Sequence, residues 1–594
     1  MFSMRRLALS IGFSALFLVV LIQLEILRLP RSVSSKFTEP QVYRLPPKED
    51  DGHFNWAALK THYPVTSFEP LPRPGNTRLP RVQYDFPKEV ASVAAERKHR
   101  QAEVKKTLQR CWKAYRERAW LEDELAPISG TGRNTFGGWA ATLVDTLDVL
   151  WIMDMKDEFR EAADAAVGID FSNTTSSTIN VFETTIRYLG GFLAAYDLSG
   201  DQRLLDKSLE LAHMLYAAFD TPNRMPITRW DFHKAASGER QTADDGVLVA
   251  EIGSLTLEFT RLSQITNDNK WYDAVARIMA VFDQQQDSTN LPGMWPLVVN
   301  ARAQEFNTGT VFTLGAMSDS VYEYLPKMYA LLGGSDRYAR LYKGSMSAAI
   351  KHSLFRPMLP DNADVLVAGP VHADDPGKSR LEPQGQHLVC FAGGMLALGG
   401  RLLEDEMHVQ TGRKLTDGCI WTYEASELGI MPETFFALPC EGQPCTWDEA
   451  KWHADVVRYA GDDAEHGASS IIETKRLRPG FSSIDDRRYI LRPEAIESVF
   501  VLYRITGDEE LREKAWTMFS NINKHTETGI ANAAISDMTD PSAPKSDSME
   551  SFWTAETLKY FYLIFSDPGL ISLDDYVFNT EAHPLKRPNA RFWG

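Results

Sequence analysis

Acidic residues stand at the predicted start of several apolar helices in this chain of 594 residues. In the stretch 491–508, Pro493 suits a first helical turn, and Glu494 and Glu497 follow three residues apart, on one face. Equivalent acids open four further apolar runs: Glu183, Glu251, Asp319 and Glu556. A single acid needs no role beyond capping its helix. A cluster of carboxylates is costly unless it binds a cation, transfers protons or does both.

The segments between these acids follow a repeating order. Each acid-led helix ends at a turn containing Gly, Asn or Asp, and an amphipathic segment such as 203–219 or 271–282 comes next. Several of these turns lie roughly 70 residues apart, a period typical of repeat architectures. We therefore predict an all-α fold, a closed ring of helical hairpins with the buried helices inside and the acids at one mouth.

The amino-acid composition limits the kinds of partner and the cellular compartment that this protein can have. A formal net charge of −17 argues against nucleic acid as a partner, and 44% hydrophobic residues are enough for a large core. Five cysteines are too few for a disulfide scaffold. Cys440 and Cys445 flank a short loop and either pair or stay reduced, whereas Cys111 is predicted to be a buried thiol. Asn173 heads an N-glycosylation sequon, which has meaning only in a lumenal protein.

The N-terminal segment predicts a membrane anchor. Arg5 and Arg6 precede an uncharged, mostly apolar run over residues 7–22, and no small-residue cleavage site follows it. We predict that residues 1–30 form a cytosolic tail and a signal-anchor helix rather than a cleaved signal peptide. The rest of the chain would then lie in the lumen of the Golgi or endoplasmic reticulum, as a single-pass type II membrane protein.

The remaining chain is predicted to be a stalk and one domain. Residues 31–88 are rich in Pro and charge, which is typical of a stalk. Residues 89–594 contain no second linker of that length and are predicted to form one catalytic domain. Within it, the stretches 357–385 and 454–488 are predicted to be surface loops.

Five stretches resemble one enzyme family. They are NVFETTIRYLGG at 180–191, TLGAMSDSVYEYL at 313–325, LRPEAIES at 491–498, MESF at 549–552 and VFNTEAHP at 577–584. In this order they resemble glycoside hydrolase family 47, the class I α-1,2-mannosidases (mannosyl-oligosaccharide 1,2-α-mannosidases). The likeness extends over most of the predicted domain.

The resemblance implies an (α/α)7 barrel that removes terminal α-1,2-linked mannose from high-mannose N-glycans of glycoproteins, with inversion and with Ca²⁺ at the base of a pit. Inverting hydrolysis needs one protonated and one ionised carboxyl group, with room for a water between them. By matched position, Glu183 looks like the general acid acting through a water, Glu494 like the general base and Asp319 like a third catalytic carboxylate. Glu433 matches a further acid of the pit that is also counted as catalytic.

The same match implies the binding residues. Thr580 looks like the one protein residue bound directly to calcium, with Glu581 acting through a water. On sequence alone Thr580 belongs to an ordinary loop, because no run of calcium-binding acids surrounds it. The implied substrate-binding residues are Glu251, Arg492, Glu497, Phe552, Glu556 and Met317. Cys390 and Cys419, in adjacent predicted helices, match the family's structural disulfide.

Three other polar residues have simpler interpretations. Arg187 follows Glu183 by four residues, so it can satisfy a buried acid on the same helix face. His387 and His583 are predicted to be hydrogen-bonded structural histidines rather than metal ligands.

Met317 marks a departure within the family. Members that remove a single mannose carry an arginine two residues before the third catalytic acid, and methionine cannot form the same hydrogen bonds to a glycan. Golgi-type relatives also carry an apolar residue there, so we predict that this chain removes several mannoses.

Two other functions compete with hydrolysis as interpretations of the sequence. One is a mannosidase-like glycan receptor in glycoprotein quality control, with little hydrolysis. The other is a terpenoid-type cyclase, which needs paired aspartates for a metal–diphosphate, and Asp145 and Asp148 are too isolated for that role. The protein is expected to be a monomer.

Overall fold

The computed structural model describes residues 43–44, 54–72, 79–442 and 444–588. The predicted anchor, residues 1–30, and about half of the predicted stalk lie outside these ranges. None of the described helices combines the length and the apolar character that crossing a bilayer requires.

Within the described residues, seven inner helical segments close a ring in which each packs against the next. These inner segments are Ala141–Ile152, Val181–Ser199, Val249–Thr266 with a break after Gly253, Asp319–Leu331, Leu388–Leu402, Glu494–Thr506 and Trp553–Ile564. The outer helices are Lys156–Ala166, Gln202–Ala217, Asn269–Gln285, Asp336–His352, Glu406–Glu424, Glu509–Thr526 and Ala91–Arg118. Ala91–Arg118 comes first in the chain but packs on the last inner segment, so it completes the ring. This arrangement agrees with the predicted ring of helical hairpins.

Short antiparallel strands and minor helices decorate this all-α framework. The two-stranded pairs are Tyr43–Arg44 with Asn173–Thr174, Glu124–Leu125 with Gly132–Arg133, Ile179–Asn180 with Arg229–Trp230, Val247–Leu248 with Val298–Val299, Leu354–Phe355 with Val367–Ala368, and Tyr576–Phe578 with Pro584–Lys586. The three-stranded sheets are Lys378–Leu381, Val371–Asp375 and Val311–Phe312, and Gln384–Gln386, Thr434–Phe436 and Ser483–Asp486. The minor α-helices are Phe232–Ala236, Glu449–Tyr459 and Ala468–Thr474.

The prediction that these two stretches, 357–385 and 454–488, are surface loops without regular structure was wrong. The stretch 357–385 contains paired strands, and the stretch 454–488 contains two helical segments and the strand Ser483–Asp486. Their Pro residues lie outside these helices and strands, where this residue type favours turns, whereas Asp374, Asp375, Gly385, Asp485 and Asp486 lie within strands. Composition alone therefore identified the turns and missed the short elements between them.

The recurring Gly-Asp turns cap both helices of a hairpin. Gly200 and Gly507 end inner helices in the left-handed conformation, with φ of 73° and 71°, which glycine adopts without steric cost. The side chains of Asp201 and Asp508 then accept a first-turn backbone N–H of the outer helix. Each turn thus stops one helix and starts the next.

A C-terminal β-hairpin fills the inside of the ring. Its strands, Tyr576–Phe578 and Pro584–Lys586, contact the inner helices Asp319–Leu331 and Gly190–Ser199. Phe578 and Leu585 are buried, and the Phe578 ring packs on Phe500 and Tyr560 of two further inner segments. The connecting turn of this hairpin is therefore held among the inner helices, and it carries the predicted calcium ligand.

The described part of the predicted stalk lies against the helical domain. The Trp56 ring packs on Trp230 and Phe232, with centroid distances of 6.0 and 5.7 Å. The backbone N–H of Val82 donates to the Asp574 side chain at 2.7 Å. The packed part of the chain therefore begins before residue 89.

The cysteines follow the predicted pattern. Cys390 and Cys419 form a disulfide with a Cα–Cα distance of 6.0 Å, and it joins an inner segment to its outer helix. Cys440 and Cys445 also pair, closing their short loop. Cys111 is a buried free thiol.

Candidate active site

A cavity of about 360 Å³ opens where the inner helices begin. Within the described residues, nine carboxyl and three guanidinium groups line it, which leaves six negative charges unbalanced if every group is ionised. The acids are Glu183, Glu251, Asp319, Glu323, Glu494, Glu497, Glu550, Glu556 and Glu581. The arginines are Arg187, Arg229 and Arg492. The helix-leading acids found in the sequence thus meet in one cavity.

Glu183 is held between its own helix start and a buried arginine. Asn180 Oδ1 accepts the backbone N–H groups of Phe182 at 2.9 Å and Glu183 at 3.3 Å, which starts the helix. Arg187 Nε donates to Glu183 Oε2 at 2.9 Å, and Arg187 Nη1 donates to Glu581 Oε2 at 2.8 Å. Arg187 therefore satisfies the acid, as predicted, and also ties it to the turn of the C-terminal hairpin.

Glu494 is the first residue of its inner helix and is paired on two sides. His387 Nδ1 lies 2.8 Å from Glu494 Oε2, and Arg492 Nη1 lies 3.6 Å from Oε1. His387 Nε2 lies 2.8 Å from the Tyr423 hydroxyl, so the imidazole ring is held between the acid and the tyrosine. Burial opposes ionisation of Glu494, but the His387 hydrogen bond and the Arg492 charge hold its pKa below the usual range. Glu494 is therefore ionised near neutral pH.

Asp319 has the opposite electrostatics at the start of the neighbouring inner helix. Burial, together with the nearby charges of Glu323 and Glu494, raises the pKa of Asp319 to about 7. The backbone N–H of Ser320 donates to Asp319 Oδ1 at 2.8 Å and offsets only part of this effect. One carboxyl group of the pit is thus ionised at a pH where another keeps its proton, which is the division that acid–base catalysis needs.

Glu433 lies behind the wall of the cavity rather than in it. Its Oε2 accepts Arg492 Nε at 2.5 Å, and its Oε1 is buried without a hydrogen-bond partner among the described residues. Arg492 itself lines the cavity, with its guanidinium carbon 5.9 Å from the centre of the Phe552 ring. Phe552 lines the cavity as well, so the predicted substrate-binding pair is in place with Glu433 supporting it.

A second set of acids lies one helical turn deeper. Glu497 and Glu323 share the buried Lys327, whose Nζ lies 3.4 Å from Glu497 Oε1 and also donates to Glu323. Burial raises the pKa of Glu497 to about 8 and that of Glu556 well above its usual range. These deeper acids resist ionisation unless a further positive charge joins them.

Thr580 meets these deeper acids at the wall of the cavity. Its backbone N–H donates to the Tyr324 hydroxyl at 3.3 Å, while its own hydroxyl and carbonyl oxygens have no hydrogen-bond partner in the described part of the protein. No group of three or more His, Cys, Asp or Glu side chains in the described ranges is arranged to hold a metal ion. A donor set of one threonine, waters and outer carboxylates fits Ca²⁺, which takes oxygen ligands in variable geometry.

The Thr580 turn is fixed from beneath by a buried hydrogen-bond chain. Asn579 Oδ1 accepts the Glu581 backbone N–H at 3.0 Å, and Asn579 Nδ2 donates to Glu258 Oε1 at 2.8 Å. The Tyr324 hydroxyl donates to the same Glu258 oxygen at 2.7 Å. Glu258 and Tyr324 were not predicted from the sequence. They lie inside helices, where no sequence pattern indicates that they form a hydrogen bond to this turn.

His583 belongs to a buried network beside this turn. Its Nδ1 lies 2.9 Å from Asp148 Oδ2, which also accepts Lys559 Nζ at 2.8 Å, and its Nε2 lies 3.4 Å from Asp145 Oδ1. His583 is therefore structural, as predicted. Both aspartates are fully buried and paired, so they present no diphosphate site of the kind a terpenoid cyclase needs.

The remaining predicted residues line the same cavity. Glu251 is buried, and its Oε1 accepts Asn180 Nδ2 at 3.1 Å and an N–H of Arg229. Met317 lines the opening and is 45% exposed, in the left-handed conformation with φ of 72°. Arg229 was not predicted, because it comes to the rim through a strand pair and not through an inner helix.

Comparison with known proteins agrees with this geometry. A sequence profile of Glycosyl hydrolase family 47 matches residues 107–587. The chain is 33% identical over 500 residues to mannosyl-oligosaccharide alpha-1,2-mannosidase IA of Spodoptera frugiperda, covering 82% of this chain and 67% of that protein. It is 33% identical over 498 residues to the endoplasmic reticulum mannosyl-oligosaccharide 1,2-alpha-mannosidase of Homo sapiens, covering 82% of this chain and 64% of that protein. The solved structure of an alpha-1,2-mannosidase from Trichoderma reesei matches with a TM-score of 0.70 at 29% identity, covering 82% of this chain and 99% of that one.

A helical ring around an acid-lined pit, together with these matches, defines a glycosidase. The chain belongs to glycosyl hydrolase family 47, because the family profile spans most of its length. The matched residues run from within the first outer helix to the C-terminal hairpin, so they include all seven inner segments and the pit.

Proposed function

We propose that this protein hydrolyses terminal α-1,2-linked mannose from high-mannose N-glycans with inversion of configuration. The observation that carries the proposal is the division between Asp319, with a pKa of about 7, and Glu494, with a lowered pKa, in one cavity. Inverting hydrolysis needs protonated and ionised carboxyl groups in one site, and the electrostatics of this cavity favour both states. The sugar and the linkage come from the relatives, which are named as α-1,2-mannosidases of mannosyl-oligosaccharides.

The roles follow from what each acid touches. Glu494, kept ionised by His387 and Arg492, takes a proton from the attacking water. Glu183, in its protonated form, delivers its proton to the leaving oxygen through a second water, which its 29% exposed side chain can reach, while the contact with Arg187 fixes the position of the carboxyl group. Glu433 acts through Arg492 as a positioning residue, because it does not line the cavity.

Calcium is the cation proposed for the base of the pit. Thr580 would hold it through its two free oxygens, with Glu581, Glu497 and Glu556 reaching it through waters. The bound ion would supply positive charge that orients the sugar hydroxyls and balances the excess of carboxylates. The nine carboxyl groups facing three guanidinium groups are the reason to expect a cation there.

The proposal also covers the number of mannoses removed and the cellular location of the protein. Met317 offers the glycan only contact area at the rim, so several mannoses should be removed rather than one. The relatives include an endoplasmic reticulum enzyme, which supports a place in the secretory pathway. The predicted signal anchor over residues 1–30 would fix the protein in that membrane.

A glycan time course tests the function. The full chain in detergent would be incubated with a nine-mannose N-glycan, with calcium and with a chelator, and the products weighed by mass spectrometry. We expect stepwise loss of mannose to a five-mannose product, arrest by the chelator and recovery on adding calcium. Tight glycan binding with no released mannose would instead favour the receptor function.

A further inference from the structure

An arginine at the rim of the pit has no role in the chemistry described so far. Arg229 lies in the strand Arg229–Trp230, which pairs with Ile179–Asn180 directly before the helix turn that carries Glu183. Trp230 is buried and anchors the strand. The backbone of Arg229 is therefore fixed beside the proposed general acid.

The guanidinium group of Arg229 is only partly used by the protein. Its Nη2 donates to Glu251 Oε1, which Asn180 Nδ2 also approaches at 3.1 Å. The Glu251 side chain is 7% exposed, whereas that of Arg229 is 59% exposed and lines the cavity. Its other N–H groups have no protein partner among the described residues, so several donors remain available at the opening of the pit.

Depth in the pit indicates which sugar these donors can reach. Glu556 and Glu581, at the base, are each 5% exposed, whereas the Arg229 side chain is 59% exposed at the opening. The sugars that follow the cleaved mannose must therefore lie at the rim. A planar guanidinium group can donate to two neighbouring hydroxyls of one sugar at once, which a methionine cannot do.

We propose that Arg229 binds the sugars that follow the cleaved mannose, and that it determines which glycan branch is preferred. This inference rests on the proposed function. Met317, on the same rim, supplies contact area, so Arg229 supplies the directional hydrogen bonds on this side of the opening. The ion pair with Glu251 holds the guanidinium in place before the glycan arrives, which lowers the entropy lost on binding.

Measuring the binding of intact glycan distinguishes two roles of Arg229: direct contact with the glycan, and support of the Glu251 side chain. Arg229→Ala and Arg229→Lys would each be made in the inactive Glu494→Gln background, with Arg340→Ala as a control. Arg340 forms an exposed ion pair with Asp283 on an outer helix, at 3.0 Å and away from the pit. Dissociation constants would be measured for the nine-mannose glycan and for free mannose, which we expect to occupy only the position at the base of the pit.

We expect Arg229→Ala to weaken glycan binding roughly ten- to hundredfold, as for the loss of one or two charge-assisted hydrogen bonds, with mannose binding unchanged. Arg229→Lys should recover part of the affinity, and Arg340→Ala should change nothing. An equal loss for glycan and mannose would mean that Arg229 only supports Glu251, and no loss for either would also overturn the proposal. Failure of the unmutated chain to release mannose would instead refute the proposed function.

In the active enzyme, the same substitution should change the order of products. Arg229→Ala should yield a more even mixture of eight-mannose isomers than the unmutated chain. An isomer pattern that Arg229→Ala leaves unchanged would contradict a role in branch preference.

Discussion

The pit has two layers of acids whose electrostatics differ. In the upper layer, defined by Glu183, Asp319 and Glu494 at the helix starts, one pKa is raised to about 7 and another is lowered. In the lower layer, defined by Glu497 and Glu556 beside Thr580, burial raises both pKa values. Arg492 and His387 separate the pKa values of the upper layer by favouring the ionised form of Glu494. In the lower layer, Lys327 is shared between acids, and burial remains the dominant effect on their pKa values. The upper layer is therefore suited to proton transfer and the lower layer to holding a cation.

The largest expected effect comes from removing the acids of the upper layer. Glu494→Gln and Glu183→Gln should each fold, bind glycan and lose about two to four orders of magnitude in kcat, the range that general acid–base groups contribute. Single-turnover hydrolysis of the nine-mannose glycan measures the loss. Glu465→Gln is a control that should keep full activity, because Glu465 is exposed and does not line the cavity. Near-normal turnover in either pit variant would refute the assigned roles.

The lower layer is tested by its proposed calcium ligand. Thr580→Ala should lose the stabilisation that calcium gives the folded state, about 2.7 kcal/mol when calcium is a hundredfold above its dissociation constant. Thermal unfolding in calcium and in chelator measures the difference for each protein. A calcium-dependent melting temperature that Thr580→Ala does not alter would show that the ion binds elsewhere.

The division within the upper layer predicts a pH dependence. Glu494 acts ionised, and His387 lowers its pKa, so His387→Ala should raise that pKa and move the acidic limb of kcat/KM to higher pH. His387→Asn, which keeps a donor near Nδ1, should move it less. If protonated Asp319 is required, the activity of all three proteins should fall as pH rises through about 7. Identical acidic limbs would mean that His387 does not tune the base.

The smallest expected effect concerns the rim above both layers. Met317→Arg should slow the later mannose removals more than the first, because a guanidinium group would favour one docked branch. Loss or gain of one or two charged hydrogen bonds, ~1.5–3 kcal/mol each, is enough for a ten- to hundredfold preference. Glycan profiling over time decides this. Arrest of the unmutated chain at one eight-mannose isomer, with no later removal of mannose, would contradict the specificity assigned to Met317.

The ring and the acids of the pit could be predicted because they repeat in the sequence. An acid, an apolar run and a Gly-Asp turn are local signals, and each has a local cause in capping and burial. The proposed calcium role of Thr580 could be predicted only from the family resemblance. A calcium ligand assisted by waters leaves no cluster of acidic residues in the sequence. The packing of residues 54–72 on the domain was also not predicted, because a Pro-rich composition is typical of an extended stalk.

The residues that sequence reasoning missed depend on distant pairing. Arg229 reaches the rim because its strand pairs with Asn180, almost fifty positions earlier, in a two-residue ladder with no periodicity to detect. Glu258 and Tyr324 meet across two inner helices beneath the Thr580 turn. His387 was expected to be structural, and only the fold shows that the group it contacts is Glu494.

The anomer of the released mannose tests the central claim most directly. An ionised Glu494 that activates water, opposite a proton delivered to the leaving oxygen, must invert the α-linkage. Proton NMR of the first minutes of hydrolysis, before the sugar mutarotates, should show β-mannose appearing first. Initial release of α-mannose would contradict the account, because it would require a covalent intermediate on one of the upper-layer carboxylates.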